Sequence, residues 1–381
     1  MKGSNVQGHG REDDHKDAKY MLRALELATR GRGLVSPNPM VGAVVVRSDE
    51  IVGEGWYEGP RGRPHAEVHA LRKAGERARG ATLYSTLEPC DHHGSTPPCS
   101  EAVISSGVSH VVVAAGDPNP IVDGRGFARL RAAGIEVTEG VLAEDAHRLN
   151  EAFERHVTTG LPFVTLKSAA SLDGRTAARD RSSKWITGDG ARDDVQRLRA
   201  AADAIVVGAG TVIEDDPSLA VRLPGYIGRP PLRVVVDATG RIPPDARVFD
   251  DRAPTLVATG PRADRTRVDA WTSAGADVMV FEEDDQGGVS LPELISNLGK
   301  RDVQGLLVEG GATLAWSFVR EDLVDRVVLY LAPKLVGGAD APGVLMGEGF
   351  APIGDALPLR IANVCRVGED VKVEADVHRD H

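Results

Sequence analysis

Apolar residues follow two different spacings along this chain, and the spacing changes from one segment to the next. Residues 20–29 place apolar side chains three and four positions apart, which predicts an amphipathic helix. The same helical spacing follows His65 and Cys99 and recurs at 127–133, 150–157 and 314–319. Short apolar runs that favour buried strands lie at 43–46, 51–56, 81–86, 111–115, 135–138, 163–167, 204–207, 232–236 and 306–308. Because strands and helices alternate, we predict a layered α/β architecture.

In the second half, several apolar strands end in glycine or an acidic residue. They run into Gly208-Ala209-Gly210-Thr211, Asp237 and Glu309-Gly310-Gly311. Ligands of open α/β sheets collect at the carboxyl ends of strands, and a glycine turn before a helix offers free N–H groups to phosphate. Each turn alone is more often a simple turn, but together they favour a phosphate-bearing ligand such as a nucleotide cofactor. None has the G-x-G-x-x-G spacing of a standard dinucleotide-binding fold.

The length of the chain allows two or three domains, and one boundary stands out. The helical run at 150–157 ends in Thr158-Thr159-Gly160-Leu161-Pro162, and a new strand follows. We place a first domain at 17–155 and a second at 156–381. Residues 1–16 are polar and charged, and we expect them to form a disordered arm.

The net charge of the chain indicates which kinds of molecule it can bind. The formal net charge is −11, of which about −2 falls in residues 1–150 and about −9 in the remainder. Neither half is the basic platform that nucleic-acid binding needs, so we expect a small-molecule substrate and no nucleic acid. No apolar run approaches the length of a membrane span and no signal peptide is visible, so we expect no membrane partner. We also expect a homo-oligomer.

The three cysteines indicate a reducing compartment, and we expect a cytoplasmic protein without a disulfide framework. Cys365 lies in an apolar run, 361–365, that predicts a strand, and we interpret it as a packed side chain. Cys90 and Cys99 belong to a cluster with different chemistry.

That cluster combines His65-Ala66-Glu67 with Cys90 and Cys99 in a short span of the chain. Two thiolates and a neutral imidazole balance Zn²⁺ and leave its fourth position to water, as in catalytic zinc sites. A His/Cys/Cys set with a Glu two residues after the His is the pattern of nucleobase deaminases. We therefore predict His65, Cys90 and Cys99 as zinc ligands and Glu67 as the catalytic proton shuttle. Eight residues separate the cysteines, so the loop is longer than in the common P-C-x-x-C.

Other interpretations of these residues stay open. His69 lies four residues after His65, but a zincin protease needs Glu directly after its first His, so we interpret His69 as a neighbour of the site. The loop histidines His92 and His93 suit a substrate contact or a solvated loop equally well. The set could also stabilise a zinc-dependent binding module, although structural sites usually close the fourth position with a protein ligand.

Longer motifs surround the cluster and continue into the second half. The first half contains Asn38-Pro39-x-Val41-Gly42, His65-Ala66-Glu67-Val68-His69-Ala70, Thr86-Leu87-Glu88-Pro89-Cys90-x-His92 and Thr96-Pro97-Pro98-Cys99. The second half contains Ser171-Leu172-Asp173-Gly174, Lys184-Trp185-Ile186-Thr187, Asp215-Asp216-Pro217-x-Leu219, Val308-Glu309-Gly310-Gly311 and Ala332-Pro333-Lys334-Leu335. With these motifs in this order, the chain resembles the bifunctional deaminase–reductases of bacterial riboflavin biosynthesis over about residues 20–374.

The resemblance implies an N-terminal cytidine-deaminase-like three-layer domain and a C-terminal dihydrofolate-reductase-like domain. The first would use Zn²⁺ to deaminate 2,5-diamino-6-ribosylamino-4(3H)-pyrimidinone 5′-phosphate. The second would use NADPH to reduce the ribosyl group, giving 5-amino-6-ribitylamino-uracil 5′-phosphate.

The resemblance also implies further site residues, which fall into two groups. The expected substrate contacts are Asn38, Asp117 and Asn119 in the first domain and Ser183, Arg199, Leu219, Arg222 and Glu309 in the second. The expected NADPH contacts are Ala169, Trp185, Thr211, Asp215, Gly311, Ala312, Thr313, Leu314, Ala315, Trp316 and Ser317. Arg199 and Arg222 suit a phosphate because guanidinium binds it as a bidentate fork.

Four points stay open after this comparison. Ser95 stands where related chains often carry Lys or Arg, so this position lacks a basic phosphate contact. The second domain shows no obvious acid–base residue, and we assign its proton to Glu309 or a water. A rival interpretation is a deaminase of guanine, cytidine or tRNA adenosine joined to an unrelated second domain, although the low charge disfavours tRNA. A further alternative is that one of the two halves is inactive.

Overall fold

The computed structural model describes residues 9–59, 62–94, 96–120, 122 and 124–378. The chain forms two compact units, Met1–Thr159 and Gly160–His381. The division follows the end of a helix, a few residues beyond the boundary placed from the sequence. Within the described ranges, no helix combines the length and the apolar character that a membrane crossing requires.

The first unit is built on a sheet of five strands. The strands are β1 (Gly42–Arg47), β2 (Glu50–Trp56), β3 (Thr82–Leu87), β4 (His110–Ala115) and β5 (Glu136–Glu139). The helices are α1 (His9–Ala28), α2 (Ala66–Ala74), α3 (Cys99–Ser106), α4 (Arg125–Ala132) and α5 (Ala143–Thr159). The strand order is β2-β1-β3-β4-β5, with β1 antiparallel to both neighbours and β3, β4 and β5 parallel.

Helices cover both faces of this sheet. Along β1, Ala43 and Val45 pack in the core that contains α2, α3 and α4. Val44 and Val46 point to the opposite face and pack in the core that contains α1. The unit is therefore the three-layer α/β domain that was expected.

Two glycines of β2 fix where α2 lies. A Cβ atom at Gly53 would overlap the carbonyl oxygen of Ala70, and one at Gly55 would overlap that of Ala66. The backbone of α2 can approach the strand this closely only because both positions lack a side chain. This contact sets the position of the start of α2, which follows His65 directly.

The predicted disordered arm is wrong for the part that the structure describes. Residues 9–16 belong to α1, while residues 1–8 lie outside the described residues. Lys16 forms an ion pair with Asp49 at 2.5 Å, and Tyr84 donates a hydrogen bond to Asp17 at 2.7 Å. Extending a helix whose later turns are already packed costs less than nucleating one, so a polar composition did not prevent helix formation.

The second unit is built on a sheet of nine strands. The strands are β6 (Phe163–Ser171), β7 (Ala204–Gly208), β8 (Leu232–Val236), β9 (Thr255–Thr259), β10 (Asp277–Val280), β11 (Gly305–Val308), β12 (Arg326–Ala332), β13 (Leu359–Val367) and β14 (Asp370–Val377). The helices are α6 (Asp189–Ala201), α7 (Ala209–Asp215), α8 (Arg265–Ser273), α9 (Leu291–Lys300) and α10 (Ala312–Arg320). The strand order is β10-β9-β8-β7-β11-β6-β12-β14-β13.

Strands β6 to β12 pair in parallel with one another, whereas β14 pairs antiparallel with both β12 and the edge strand β13. Val206 faces the core formed with α9 and α10, whereas Val207 faces the core that contains Trp271 of α8. Because β11 pairs with both β6 and β7, the carboxyl ends of these three strands meet at one edge of the sheet. Ligands collect at such edges.

The interpretation of Cys365 as a packed side chain is wrong. The residue is exposed on β13, the last strand of the sheet. Ile361 and Val364 on the same strand are also exposed, by 66% and 56%. The apolar run correctly predicted a strand, but this strand lies at an edge where few residues are buried.

Candidate active sites

The three predicted zinc ligands come together in the first unit. His65 is the residue before α2, Cys90 follows β3, and Cys99 opens α3. His65 Nδ1 lies 3.1 Å from Cys99 Sγ and 3.6 Å from Cys90 Sγ, and the three ligand atoms lie within 4.8 Å of one another. Among the described residues no fourth His, Cys, Asp or Glu joins this group, so His69 is not part of it.

The pKa of one of the two thiols, that of Cys90, suits metal binding. A hydrogen bond from Cys99 lowers the pKa of Cys90 to about 4, and the same bond raises the pKa of Cys99. The thiolate is the form of cysteine that binds metals, and Cys90 is held in that form. One imidazole and two sulfur ligands with no fourth protein ligand fit zinc with a free coordination position.

Glu67 lies beside this group on the first turn of α2. Its side chain is buried, and burial raises its pKa to about 7. Its Oε2 atom has no hydrogen-bond partner within the described part of the chain. A buried carboxylate with an unused oxygen and a pKa near neutrality can both accept and return a proton.

Glu67 and two of the three candidate ligands, His65 and Cys90, border a cavity of about 370 Å³. Asn38, Asp117 and Asn119 also line it, as the resemblance implied. Burial raises the pKa of Asp117 to about 6, and its Oδ1 accepts a hydrogen bond from the Asn119 N–H at 2.9 Å. Ser95 lies outside the described residues.

Several residues that line the same cavity were missed or left undecided. Asn38 Nδ2 donates to Tyr57 Oη at 3.3 Å, and the Tyr57 ring stands edge-on to His65 with centroids 5.5 Å apart. Thr96 and His92 also line the cavity. Tyr57 directly follows β2, and a tyrosine at the end of a strand that leads to a metal ligand is a signal that sequence reasoning had available.

The second unit contains a larger cavity, of about 770 Å³, at the carboxyl ends of the central strands. The glycine turns after β7 and β11 both line it. So do most of the residues that the resemblance implied: Ala169, Ser183, Trp185, Arg199, Thr211, Asp215, Arg222, Glu309, Gly311, Ala312, Thr313, Leu314 and Ser317.

Three of the implied residues do not line this cavity. Ala315 and Trp316 pack in the core beneath α10, because the helical repeat turns these positions towards the sheet. Leu219 is buried in the core on the opposite face of the sheet. A ligand in this cavity would meet other residues of α10 and, near Leu219, the backbone.

Arg199 and Glu309 form a buried bidentate ion pair. Arg199 Nε donates to Glu309 Oε1 at 2.6 Å, and its terminal nitrogen donates to Oε2 at 2.9 Å. Because Glu309 occupies this guanidinium fork, Arg199 is not a free phosphate ligand. Arg222 is exposed at the same cavity, and its guanidinium group can bind a phosphate.

Lys167 was missed as a functional residue. Its Nζ lies 3.8 Å from Glu309 Oε2 in the lining of the cavity. Burial lowers the pKa of Lys167, while the charge of Glu309 opposes this effect. The signal in the sequence was that Lys167 is the single charged residue of strand β6.

Trp185 is held at the entrance of this cavity although 65% of its surface is exposed. The Arg192 guanidinium lies 4.6 Å from the ring centroid. Lys334 Nζ donates to the carbonyl oxygens of Trp185 and Ile186, both at 2.8 Å. These contacts hold an exposed aromatic ring in place for a ligand.

Each of the two units matches the model of a known protein family. Residues 14–115 match the model for the cytidine and deoxycytidylate deaminase zinc-binding region. Residues 162–373 match the model for the RibD C-terminal domain. The predicted fold class, a cytidine-deaminase-like domain followed by a reductase domain, is therefore confirmed.

Full-length relatives agree with this assignment. The chain is 45% identical over 357 residues to the riboflavin biosynthesis protein RibD of Bacillus amyloliquefaciens, covering 93% of this chain and 95% of the relative. It is 44% identical to RibD of Escherichia coli strain K12, covering 93% and 98%.

Solved structures superpose on the whole chain. One form of Acinetobacter baumannii RibD matches with a TM-score of 0.85 at 39% identity, covering 96% of this chain and 100% of that one. The Thermotoga maritima diaminohydroxyphosphoribosylaminopyrimidine deaminase/5-amino-6-(5-phosphoribosylamino)uracil reductase matches with a TM-score of 0.82 at 36% identity and the same coverage. The chain thus belongs to the RibD family of bifunctional deaminase–reductases of riboflavin biosynthesis.

Proposed function

We propose that the two units catalyse consecutive steps on one substrate. The first hydrolyses the 2-amino group of 2,5-diamino-6-ribosylamino-4(3H)-pyrimidinone 5′-phosphate, consuming water and releasing ammonia. The second reduces the ribosyl group to ribityl with NADPH and yields 5-amino-6-ribitylamino-uracil 5′-phosphate. The observation that carries the proposal is the buried Glu67 carboxylate, whose Oε2 has no partner among the described residues, beside the His65/Cys90/Cys99 group at the edge of a cavity.

In the deaminase cavity, His65, Cys90 and Cys99 would hold zinc, which would supply the Lewis acidity that activates water. Glu67 takes one proton from the attacking water and passes it to a ring nitrogen. It then takes the second proton of that water from the new hydroxyl group and gives it to the amine, which departs as ammonia and leaves a carbonyl. A pKa near 7, caused by burial, suits a group that must both accept and donate.

Substrate contacts in this cavity come from both sides of the metal group. Asn38 is placed by its hydrogen bonds to Tyr57 and to the Val35 carbonyl, and it binds the pyrimidine edge. Asp117 and Asn119 bind the ribose-phosphate side.

The reductase cavity has room and polarity for both a dinucleotide and the substrate. Gly311 caps the N-terminus of α10, where free N–H groups suit the cofactor phosphates, and its N–H donates to Thr211 at 3.1 Å. NADPH supplies the hydride when bound. Ser183, Arg222 and the backbone near Leu219 bind the substrate.

Lys167 replaces Glu309 as the proposed proton donor. Glu309 accepts hydrogen bonds from Arg199, whose charge lowers its pKa against the effect of burial, so it is an anion at neutral pH. Lys167 lines the cavity, and burial lowers its pKa. A buried lysine with a lowered pKa gives up its proton more readily than a solvated one.

Preference for NADPH over NADH would come from Arg181 and Lys184. In this structure they pair loosely with Glu214 at 3.7 Å and Asp215 at 3.5 Å, and both ion pairs are exposed. Exposed pairs of this kind are weak, so a 2′-phosphate can recruit either cation.

A second copy of this chain is the partner that the second unit suits. The terminal strand β13 exposes Leu359, Ile361 and Val364, and an apolar edge strand favours pairing with another strand. Light scattering with Ile361→Lys tests this: a smaller mass than wild type is expected, and an unchanged mass contradicts it. The free thiols fit a reducing compartment, and we assign the protein to the cytoplasm.

The substrate assignment is tested by ammonia release. Purified zinc-loaded protein is given the diaminopyrimidinone ribosyl phosphate, cytidine or guanine in separate reactions. Ammonia from the first substrate only is the expected result, and Glu67→Gln should abolish it while zinc content is retained. Preferential deamination of cytidine or guanine would contradict the assignment, and equal activity of Glu67→Gln would favour a non-catalytic zinc module.

A further inference from the structure

Glu88 is a buried carboxylate whose partners are all backbone N–H groups of one loop. It follows β3 directly, two residues before Cys90, and is 3% exposed. Its Oε2 accepts from Gly124 at 3.1 Å and from Asp117 at 3.3 Å. Its Oε1 accepts from Gly126 at 2.9 Å and from Phe127 at 3.4 Å.

Three of these donors belong to the N-terminus of α4, since Gly124 is its capping residue and Gly126 and Phe127 lie in its first turn. A helix N-terminus has N–H groups without helical partners and attracts negative charge. Glu88 supplies that charge from inside the protein. The end of α4 is therefore filled by a side chain and is not available to a phosphate.

The fourth donor, Asp117, connects Glu88 to the substrate cavity. Asp117 Oδ1 accepts from the Asn119 N–H, and the Asn119 carbonyl accepts from the Val122 N–H at 2.8 Å. Asp117 and Asn119 both line the deaminase cavity. One carboxylate thus fixes both ends of the loop that carries these two side chains.

The packing beneath the loop supports the same conclusion. A Cβ atom at Gly126 would overlap the Pro89 carbonyl oxygen, so the start of α4 is pressed against the Glu88–Pro89 segment. With so little space, a side chain at position 88 must match the four N–H groups in both shape and charge.

We propose that Glu88 is a positioning residue that holds Asp117 and Asn119 in the geometry that binds the ribose-phosphate side of the deaminase substrate. The inference rests on the proposed function of that cavity. Glu88 also lines the cavity, but both of its oxygens accept hydrogen bonds from backbone N–H groups, so we expect its removal to weaken substrate binding more than the chemical step.

Glu88→Gln is the variant that separates charge from shape. The amide keeps the volume of the carboxylate but can accept hydrogen bonds at one end only, and its NH₂ group would face two N–H donors. Loss of charge-assisted hydrogen bonds on this scale should raise the KM for the phosphorylated substrate roughly tenfold or more, with kcat within about twofold. Glu101→Gln is the matched control, because Glu101 pairs with Arg129 at 3.1 Å on the surface of α3.

Comparing a phosphorylated with a dephosphorylated substrate, and measuring the reductase activity as well, separates a loss of phosphate binding from a general loss of function. The dephosphorylated riboside should show the same kcat/KM with Glu88→Gln and wild type, because it lacks the group that the loop binds. NADPH oxidation with the deaminated substrate should be unchanged, which shows that the second unit is folded. Zinc content should also match wild type.

An equal loss with both substrates would overturn the proposal, because Glu88 would then support the chemical step. Unchanged kinetics with both substrates would overturn it as well.

If wild type deaminates neither substrate, the proposed function fails. Hydrogen exchange of the peptide spanning 117–127 then still decides the role of Glu88. Faster exchange in Glu88→Gln than in wild type supports an anchored loop, and identical exchange contradicts it. If Glu88→Gln does not fold, Glu88→Asp, which keeps the charge but has a shorter reach, is measured in the same way.

Discussion

Glu309→Gln should move the alkaline limb of the reductase pH profile to lower pH. If protonated Lys167 donates the proton, activity falls as pH rises through the pKa of Lys167. The Glu309 carboxylate stabilises the protonated lysine, whereas burial and the charge of Arg199 disfavour it. Removing the negative charge therefore lowers the pKa of Lys167 further, and activity is lost at a lower pH.

The size of the shift follows from the geometry. Lys167 Nζ and Glu309 Oε2 are 3.8 Å apart, and at an effective dielectric constant of about 20 their attraction is about 4 kcal/mol. Since 1.36 kcal/mol corresponds to one pKa unit, the upper limit of the shift is about three units. Relaxation around the amide reduces it, so we expect the limb to move by at least about one unit.

The assay is NADPH oxidation with the deaminated substrate at saturating concentrations, recorded across pH for wild type, Glu309→Gln and Glu214→Gln. Glu214 lines the same cavity but its side chain is 60% exposed and pairs with Arg181, so its substitution should leave the limb in place. A limb at the wild-type pH in Glu309→Gln would refute the role of Lys167. Loss of activity that is independent of pH would instead indicate that Glu309 acts only in binding.

Four further results are expected. Glu67→Gln should lower the deaminase kcat by about a hundredfold or more without changing NADPH oxidation, and near-normal ammonia release would contradict its role. A chelator that removes the metal held by Cys99 and its partners should abolish ammonia release and leave reduction of the deaminated substrate intact, as followed by NADPH absorbance. Gly55→Leu should destabilise the first unit by more than about 3 kcal/mol in denaturant unfolding, because the new side chain overlaps the backbone of α2. Trp185→Ala should raise the KM for NADPH with little change in stability, whereas Trp316→Ala should lower the stability of the second unit by about 3–5 kcal/mol, and the reverse pattern would contradict their placement.

The zinc group could be predicted from the sequence because its chemistry depends on residue types that rarely occur together. His65 precedes α2, Cys90 follows β3 and Cys99 opens α3, and the apolar pattern predicts each of these elements. A catalytic carboxylate two residues from a ligand at the start of a helix needs no long-range information. The alternating strands and helices likewise predicted the layers of both units.

The errors arise where contacts distant in the sequence decide the outcome. The contiguous set of cofactor contacts over 311–317 stays a prediction, but the sequence did not show that the helical repeat turns the side chains of Ala315 and Trp316 into the core. Lys167 was overlooked because a lysine in an apolar strand gives no local sign that Glu309 lies beside it. The apolar run around Cys365 did not show that its strand lies at an edge of the sheet.

The central claim is that one chain performs two reactions in a fixed order, and a single reaction mixture tests it. Zinc-loaded protein receives the diaminopyrimidinone ribosyl phosphate, first without NADPH and then with it, while ammonia and NADPH absorbance are recorded together. We expect ammonia to appear without NADPH, and NADPH oxidation to begin at once when the cofactor is added after deamination. With Glu67→Gln, NADPH oxidation should require added deaminated substrate. Oxidation of NADPH by Glu67→Gln with the original substrate, or no ammonia from folded zinc-loaded wild type, would contradict the account.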